Sequence, residues 1–190
     1  MTTAVLVRRA VPDDADAIAV LQDIANKGHL SAHDWRADDR DWRSVGAELV
    51  ASNRTEMGIA NTIVAERNGA VVGMLNYAPD ANAVAVENEV FRPFIRLREL
   101  LHPCLYLRAM AVLPNERRSG IAGRLLDVAM AAAAAMDDKA VGVIVHESNA
   151  GLLRHYTKRG FARIGAEPVL RHHAYPVGSM LIALRRRGGA

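Results

Sequence analysis

The chain has a single cysteine, Cys104, among 190 residues, which excludes an intrachain disulfide and leaves stability to packing. It has no apolar run of the roughly 20 residues that a bilayer crossing needs. The longest bland tract, Ala129 to Met136, is alanine-rich and reads as one side of a helix. No charged-then-apolar leader precedes the polar Val11-Pro12-Asp13-Asp14 segment, so a soluble, cytoplasmic protein without a membrane partner is expected. Charge of one sign is nearly balanced: 24 Lys and Arg against 21 Asp and Glu leave a formal +3, with a pI near 9.3. Because basic and acidic residues alternate along most of the chain, nucleic acid is not an expected partner. Arg185-Arg186-Arg187 is the one dense basic run, and its place before Gly188-Gly189 reads as a solvated tail. Neither G-x-x-x-x-G-K-[ST] nor G-x-G-x-x-G occurs, which argues against the common nucleotide-binding families. With no repeat and no low-complexity linker, residues 1–190 read as one α/β domain long enough to bury a core.

What is present has clear local order. Leu6 to Arg9 is strand-like, and Pro12 with Asp13 and Asp14 opens a helix carrying Ile18, Leu21, Ile24 and Ala25 at helical spacing. Ser44 to Asn53 reads as a second helix. Thr62 to Glu66 and Ala70 to Leu75 are strand-like runs joined by Asn68-Gly69, the dipeptide suited to a type I′ hairpin. Phe91 to Leu101 has helical spacing, Leu105 to Val112 is a strand, and Gly120 to Met136 is a long helix with Ile121, Leu125, Leu126 and Val128 to Ala129 on its apolar side. Ala140 to Val145 is a buried strand by its continuous valine and isoleucine content. Strand, helix and strand in this order require a crossover, hence a parallel pair within the sheet. Asn149 to Arg159 is a short helix ended by Gly160, with Phe161 placed for the contact that accompanies a glycine cap. Met180 to Leu184 is the last strand.

The densest chemistry lies in Val112-Leu113-Pro114-Asn115-Glu116-Arg117-Arg118-Ser119-Gly120-Ile121-Ala122, a strand end, a cationic loop and a helix start. The first turn of a helix carries N–H groups without intrahelical partners and the positive end of the macrodipole, so an anion is favoured there. Gly120 permits backbone angles that other residues avoid and a close approach to a ligand, while Arg117 and Arg118 add charge. A basic loop opening an ordinary surface helix fits this segment equally well on its own. A second constellation, Asn149-Ala150 through Tyr156 to Gly160-Phe161, places Asn149 and Tyr156 about two turns apart on one helical side, so both can face one cleft. Taken in isolation, Asn149 is an N-cap and Tyr156 an amphipathic anchor.

Arg117-x-x-Gly120-x-Ala122 followed by Asn149, Ala150, Tyr156 and Gly160-Phe161 resembles, in order and spacing, the signature of the GCN5-related N-acetyltransferases (GNAT). The resemblance extends to Ala111-Val112-x-Pro114 and to the Val7-Arg8-Arg9-Ala10 opening. It is weakest over Ala32 to Ile59 and Pro79 to Cys104. It implies an α+β fold with a central mixed, mostly antiparallel sheet, flanked by helices and containing a splayed parallel pair. It also implies acetyl-CoA as co-substrate, with no metal. Arg117, Arg118, Ser119, Gly120, Ile121 and Ala122 would hold the pyrophosphate, and the main chain of Met110, Ala111 and Val112 would pair with pantetheine and polarise the acetyl carbonyl. Asn149 would bond pantetheine or water, and Tyr156 would protonate the departing thiolate. The implied reaction is direct attack by a primary amine in a ternary complex. The acceptor would be a small molecule, a peptide or a protein, and a homodimer is left open.

The glutamate used as base in the histone-modifying branch aligns with Tyr106, a departure from that pattern. Glu89 and Glu99 are the preferred candidates for the base because they lie in the variable segment before the strand; Glu87, His102, Glu147, His172 and His173 are weaker ones. Cys104 reads as a small buried hydrophobe rather than a nucleophile, and the histidine spacings form no ligand set. The missing base also leaves open a non-catalytic acyl-CoA sensor or regulatory module.

Overall fold

Asn68 and Gly69, with φ of 54° and 78°, turn β2 (Thr62–Arg67) back onto β3 (Ala70–Ala78), the left-handed pair that an Asn-Gly hairpin turn demands. The computed structural model describes residues 4–28, 30–31, 40–54, 56–78, 89–135 and 140–187. The expected variable segment from Pro79 through residue 88, with Glu87, and the end of the long helix at Met136 lie outside these. By contact density the chain divides into two units, residues 1–77 with 109–129, and residues 78–108 with 130–190.

In the first unit β1 (Leu6–Arg9) lies antiparallel to β2, and β2 to β3. Arg8 ties this edge together. Its guanidinium donates to both carboxylate oxygens of buried Asp14, at 2.7 and 2.9 Å, and to Glu66 at 2.8 Å. The Asp14 carboxylate also caps the chain at the Val11 N–H, and Arg8 holds its pKa below the usual carboxylate range. α1 (Ala15–Ala25) and α2 (Trp42–Ala51) bury Ile18, Leu21 and Val50 against Val64, Met74, Ala109 and Ala111. α2 starts and stops two residues before its expected limits of Ser44 and Asn53. Gly46 sits where a Cβ would come 3.0 Å from the Cβ of Ala19, so the two helices cross closely.

β4 (Leu105–Val112) contributes its first half to the second unit and its last half to the first. The strand order is β1-β2-β3-β4-β5-β7-β6, a seven-stranded mixed sheet. β4 and β5 (Ala140–His146) form the expected parallel pair, and their ladder covers only Leu105 to Leu107 against Val141 to Val143. In the second unit β7 (Met180–Arg187) runs antiparallel to β5 and to β6 (Ala162–Pro168). α3 (Arg92–Leu101) covers this unit with Leu97 and Leu101, which join Cys104, Tyr106, Leu181 and Ala183 in one apolar cluster. Cys104 is 2% exposed, and a Cβ at Gly142 would lie 2.7 Å from its sulfur. The thiol is packing, filling the notch that glycine leaves.

One strand is new and two expectations are corrected. β6 was not anticipated: Ala162-Arg163-Ile164-Gly165-Ala166-Glu167-Pro168 has little β-favouring content, and it becomes an edge strand through pairing with distant β7, with a bulge at Arg163/Gly165. Arg185 to Arg187 are not a solvated tail. They pair with Gly142 to Ala140, and the Arg185 guanidinium donates to the Pro103 carbonyl at 2.8 Å. Val128 faces solvent at 40% exposure, whereas Ala129 beside it is buried.

Candidate functional site

The first unit carries the cationic loop between β4 and α4 (Ile121–Ala134). A 3-10 turn over Pro114–Glu116 leaves the strand, closed by Glu116 N–H donating to Leu113 O at 2.9 Å and anchored by Leu113 N–H on Val72 O at 2.9 Å. Ser119 Oγ then donates to Glu116 O at 2.6 Å, and Arg117 Nε to Val112 O at 3.3 Å. The loop is therefore tied to itself and to the strand end before any ligand arrives. Gly120 has φ +82°, and a Cβ added to it would meet no described protein atom within 4 Å. The glycine is needed for the angle rather than for space inside the protein. Gly120 O accepts the first helical bond, from Arg124 N–H at 3.2 Å. Among the described residues no hydrogen bond engages the N–H groups of Gly120, Ile121, Ala122 or Gly123, which open the helix at its positive end.

Beneath this turn, a Cβ on Gly73 of β3 would come 3.1 Å from Ile121 Cγ2, 3.2 Å from Ala111 O and 3.4 Å from Val112 Cγ2. The missing side chain lets the helix start and the strand end settle closely onto β3. Ile121, Leu125 and Leu126 are buried along the inner face of α4. Ala111 and Val112 are buried and Met110 is half-buried at the end of β4.

The second unit carries the other constellation. Asn149 N-caps α5 (Ala150–Lys158): its Oδ1 accepts from Leu152 N–H at 3.3 Å and its carbonyl from Leu153 N–H at 3.0 Å. The helix ends as expected at Gly160, φ +82°, with Gly160 N–H on Thr157 O at 3.0 Å and Phe161 N–H on Tyr156 O at 3.1 Å. These paired bonds are the Schellman arrangement, and the accompanying apolar contact is Phe161 against Tyr156, rings 5.0 Å apart. Tyr156 is 1% exposed. Burial, helped by neighbouring Tyr106, raises its phenol above the ordinary value near 10.

The candidate bases stand differently. Glu89 is 78% exposed and accepts from Arg92 Nη2 at 2.7 Å, and Glu99 lies on the exposed face of α3. Tyr106, where the resemblance sought a glutamate, is buried beneath the Arg98 guanidinium, 4.9 Å from its ring centre. A histidine that the motifs did not single out is held at both ring nitrogens. His146 accepts at Nδ1 from Ser148 N–H, 3.1 Å, so its Nε2 carries the proton and donates to Ser179 Oγ at 2.8 Å; its ring stacks on Tyr175 at 3.7 Å. Only the terminal position of His146 on a valine-rich strand hinted at this.

The model of the acetyltransferase (GNAT) family matches residues 29–161, and the chain belongs to that family. Solved structures share the fold. An acetyltransferase is 21% identical, with 97% of this chain and 100% of that one covered at a TM-score of 0.71. The N-acetyltransferase from Staphylococcus aureus Mu50 is 18% identical, with 95% and 100% covered and a TM-score of 0.67. The ribosomal-protein-alanine N-acetyltransferase from Brucella melitensis is 21% identical, with 96% and 99% covered and a TM-score of 0.61. No curated protein sequence matches the chain significantly. Membership indicates acyl transfer from an acyl-CoA. Among the described residues no helix is long and apolar enough to cross a membrane.

Proposed function

We propose that the chain is an N-acetyltransferase that moves the acetyl group of acetyl-CoA to a primary amine of a small molecule, peptide or protein. The observation that carries this reading is the unengaged run of N–H groups from Gly120 to Gly123 at the start of α4, within a loop already tied into shape. Such a run suits the pyrophosphate of coenzyme A, and preorganisation limits the ordering cost of binding. Arg117 and Arg118 add charge beside it, with Ser119 shaping the turn. The short β4–β5 ladder supports the next assignment: backbone beyond Leu107, at Met110, Ala111 and Val112, serves pantetheine and the acetyl carbonyl.

The amine nitrogen attacks the acetyl carbon, the carbon–sulfur bond breaks, and the thiolate takes a proton. No covalent enzyme intermediate is needed, since holding both reactants together supplies much of the gain. Tyr156 is the proposed acid. Burial raises its pKa, so the phenol stays protonated and can donate to the departing sulfur. Asn149 spends Oδ1 on its own helix, which leaves its amide N–H groups for pantetheine. Glu89 and Glu99 are the carboxylates proposed to receive the amine's proton, and their exposure suits exchange with water. The lone cysteine suits a reducing compartment such as the cytoplasm.

Calorimetric titration with acetyl-CoA, followed by thiol release across a panel of amines and peptides, tests the proposal. Binding with acceptor-dependent release is expected. Absence of binding overturns the reading, and binding without release from any acceptor replaces it with an acyl-CoA sensor.

A further inference from the structure

Glu116 is an acidic residue in the middle of an anion-binding loop, where a carboxylate should repel the ligand. Its charge is met by Arg67, the last residue of β2, whose Nη1 bonds the carboxylate oxygen Oε2. Both side chains are half-buried, at 16% and 17% exposure. Glu116 is also the loop's tie point, donating through its N–H to Leu113 O and accepting Ser119 Oγ at its carbonyl. The bond therefore joins the hairpin at Asn68-Gly69 to the turn that leads to Gly120.

We infer that Arg67 is a positioning residue for coenzyme A: by neutralising Glu116 it keeps a negative charge from opposing the pyrophosphate at the start of α4. This rests on the proposed function, because it assigns the loop's anion as coenzyme A. A merely mechanical strap and a charge neutraliser make opposite predictions for the two partners. If the pair only braces the loop, weakening it from either side lowers affinity. If neutralisation matters, removing the cation hurts and removing the anion does not.

The test is titration of wild type, Arg67→Ala, Glu116→Gln and the double variant with coenzyme A at low and high salt, with circular dichroism confirming that each is folded. Arg67→Ala is expected to weaken binding roughly tenfold at low salt, by exposing an unpartnered carboxylate beside an anion, and by less at high salt. Glu116→Gln keeps an acceptor for Arg67 while losing the charge, and is expected to bind at least as tightly as wild type. The double variant should recover most of the loss in Arg67→Ala, and KM for acetyl-CoA should follow these affinities while kcat stays unchanged. Equal binding by Arg67→Ala and wild type, or a Glu116→Gln loss matching that of Arg67→Ala, overturns the inference. No binding by wild type would instead overturn the proposed function.

Discussion

Two helices of this chain follow the two parallel strands, and their first turns are finished in opposite ways. α5 is closed by its own Asn149, which supplies an acceptor to Leu152 N–H. α4 is preceded by Gly120, which has no side chain to offer, and the N–H groups from Gly120 through Gly123 have no described acceptor. One junction satisfies itself and the other leaves donors for something else. Two of the loop side chains brace it, Ser119 turning back onto Glu116 and Arg117 onto Val112.

The largest effect should come from Gly120→Glu, which forces a non-glycine residue to φ +82° and adds negative charge to the cradle. Coenzyme A affinity measured by calorimetry should fall by more than about hundredfold, the order of a lost charge-assisted site. Wild-type affinity would erase the contrast between the two junctions. Next, Tyr156→Phe should reduce single-turnover acetyl transfer by roughly hundredfold with little change in binding, the scale of a positioned general acid. An unchanged rate would make Tyr156 a packing residue beside Phe161 only.

The same substitution has a signature in stability. The folded phenol holds its proton above the unfolded value, so its contribution is fully present below about pH 10 and is lost as pH rises past it. Urea midpoints should decline less steeply for the phenylalanine variant at alkaline pH. Asn149→Ala should have the smallest effect, about 1 kcal/mol in denaturant unfolding from the lost cap, with a loss of coenzyme A affinity smaller than that of Gly120→Glu. A larger affinity loss than at Gly120 would reverse the roles assigned to the two helix starts.

Local chemistry was legible in advance, and so was the parallel β4–β5 pair that the strand-helix-strand order demands, but the pairing of β6 and the Arg67–Glu116 contact were not. Asn68-Gly69, Pro12, Gly160 with Phe161, and the Asn149 cap each declare their geometry within a few residues. β6 was missed because Arg163, Gly165 and Pro168 gain a strand partner only from β7, and Gly165 is explained by Leu100 lying 2.8 Å from where its Cβ would be. Arg67 could not be paired with Glu116 from sequence, since 49 residues separate them. The loop was found by pattern, yet the braces that give it shape come from side chains read as ligand-directed.

Gly73 sets the depth of this arrangement from below. With no side chain there, Ile121 and the carbonyl of Ala111 rest almost on the sheet backbone, so the height of the donor run is measured from the floor of β3 and not from the loop above it. A methyl group at Gly73 would meet Ile121 Cγ2 at 3.1 Å and the Ala111 carbonyl at 3.2 Å, so the helix start or the strand end would have to give by a few tenths of an ångström. The register of the donors toward a bound anion is in that sense carried by an atom the chain leaves out.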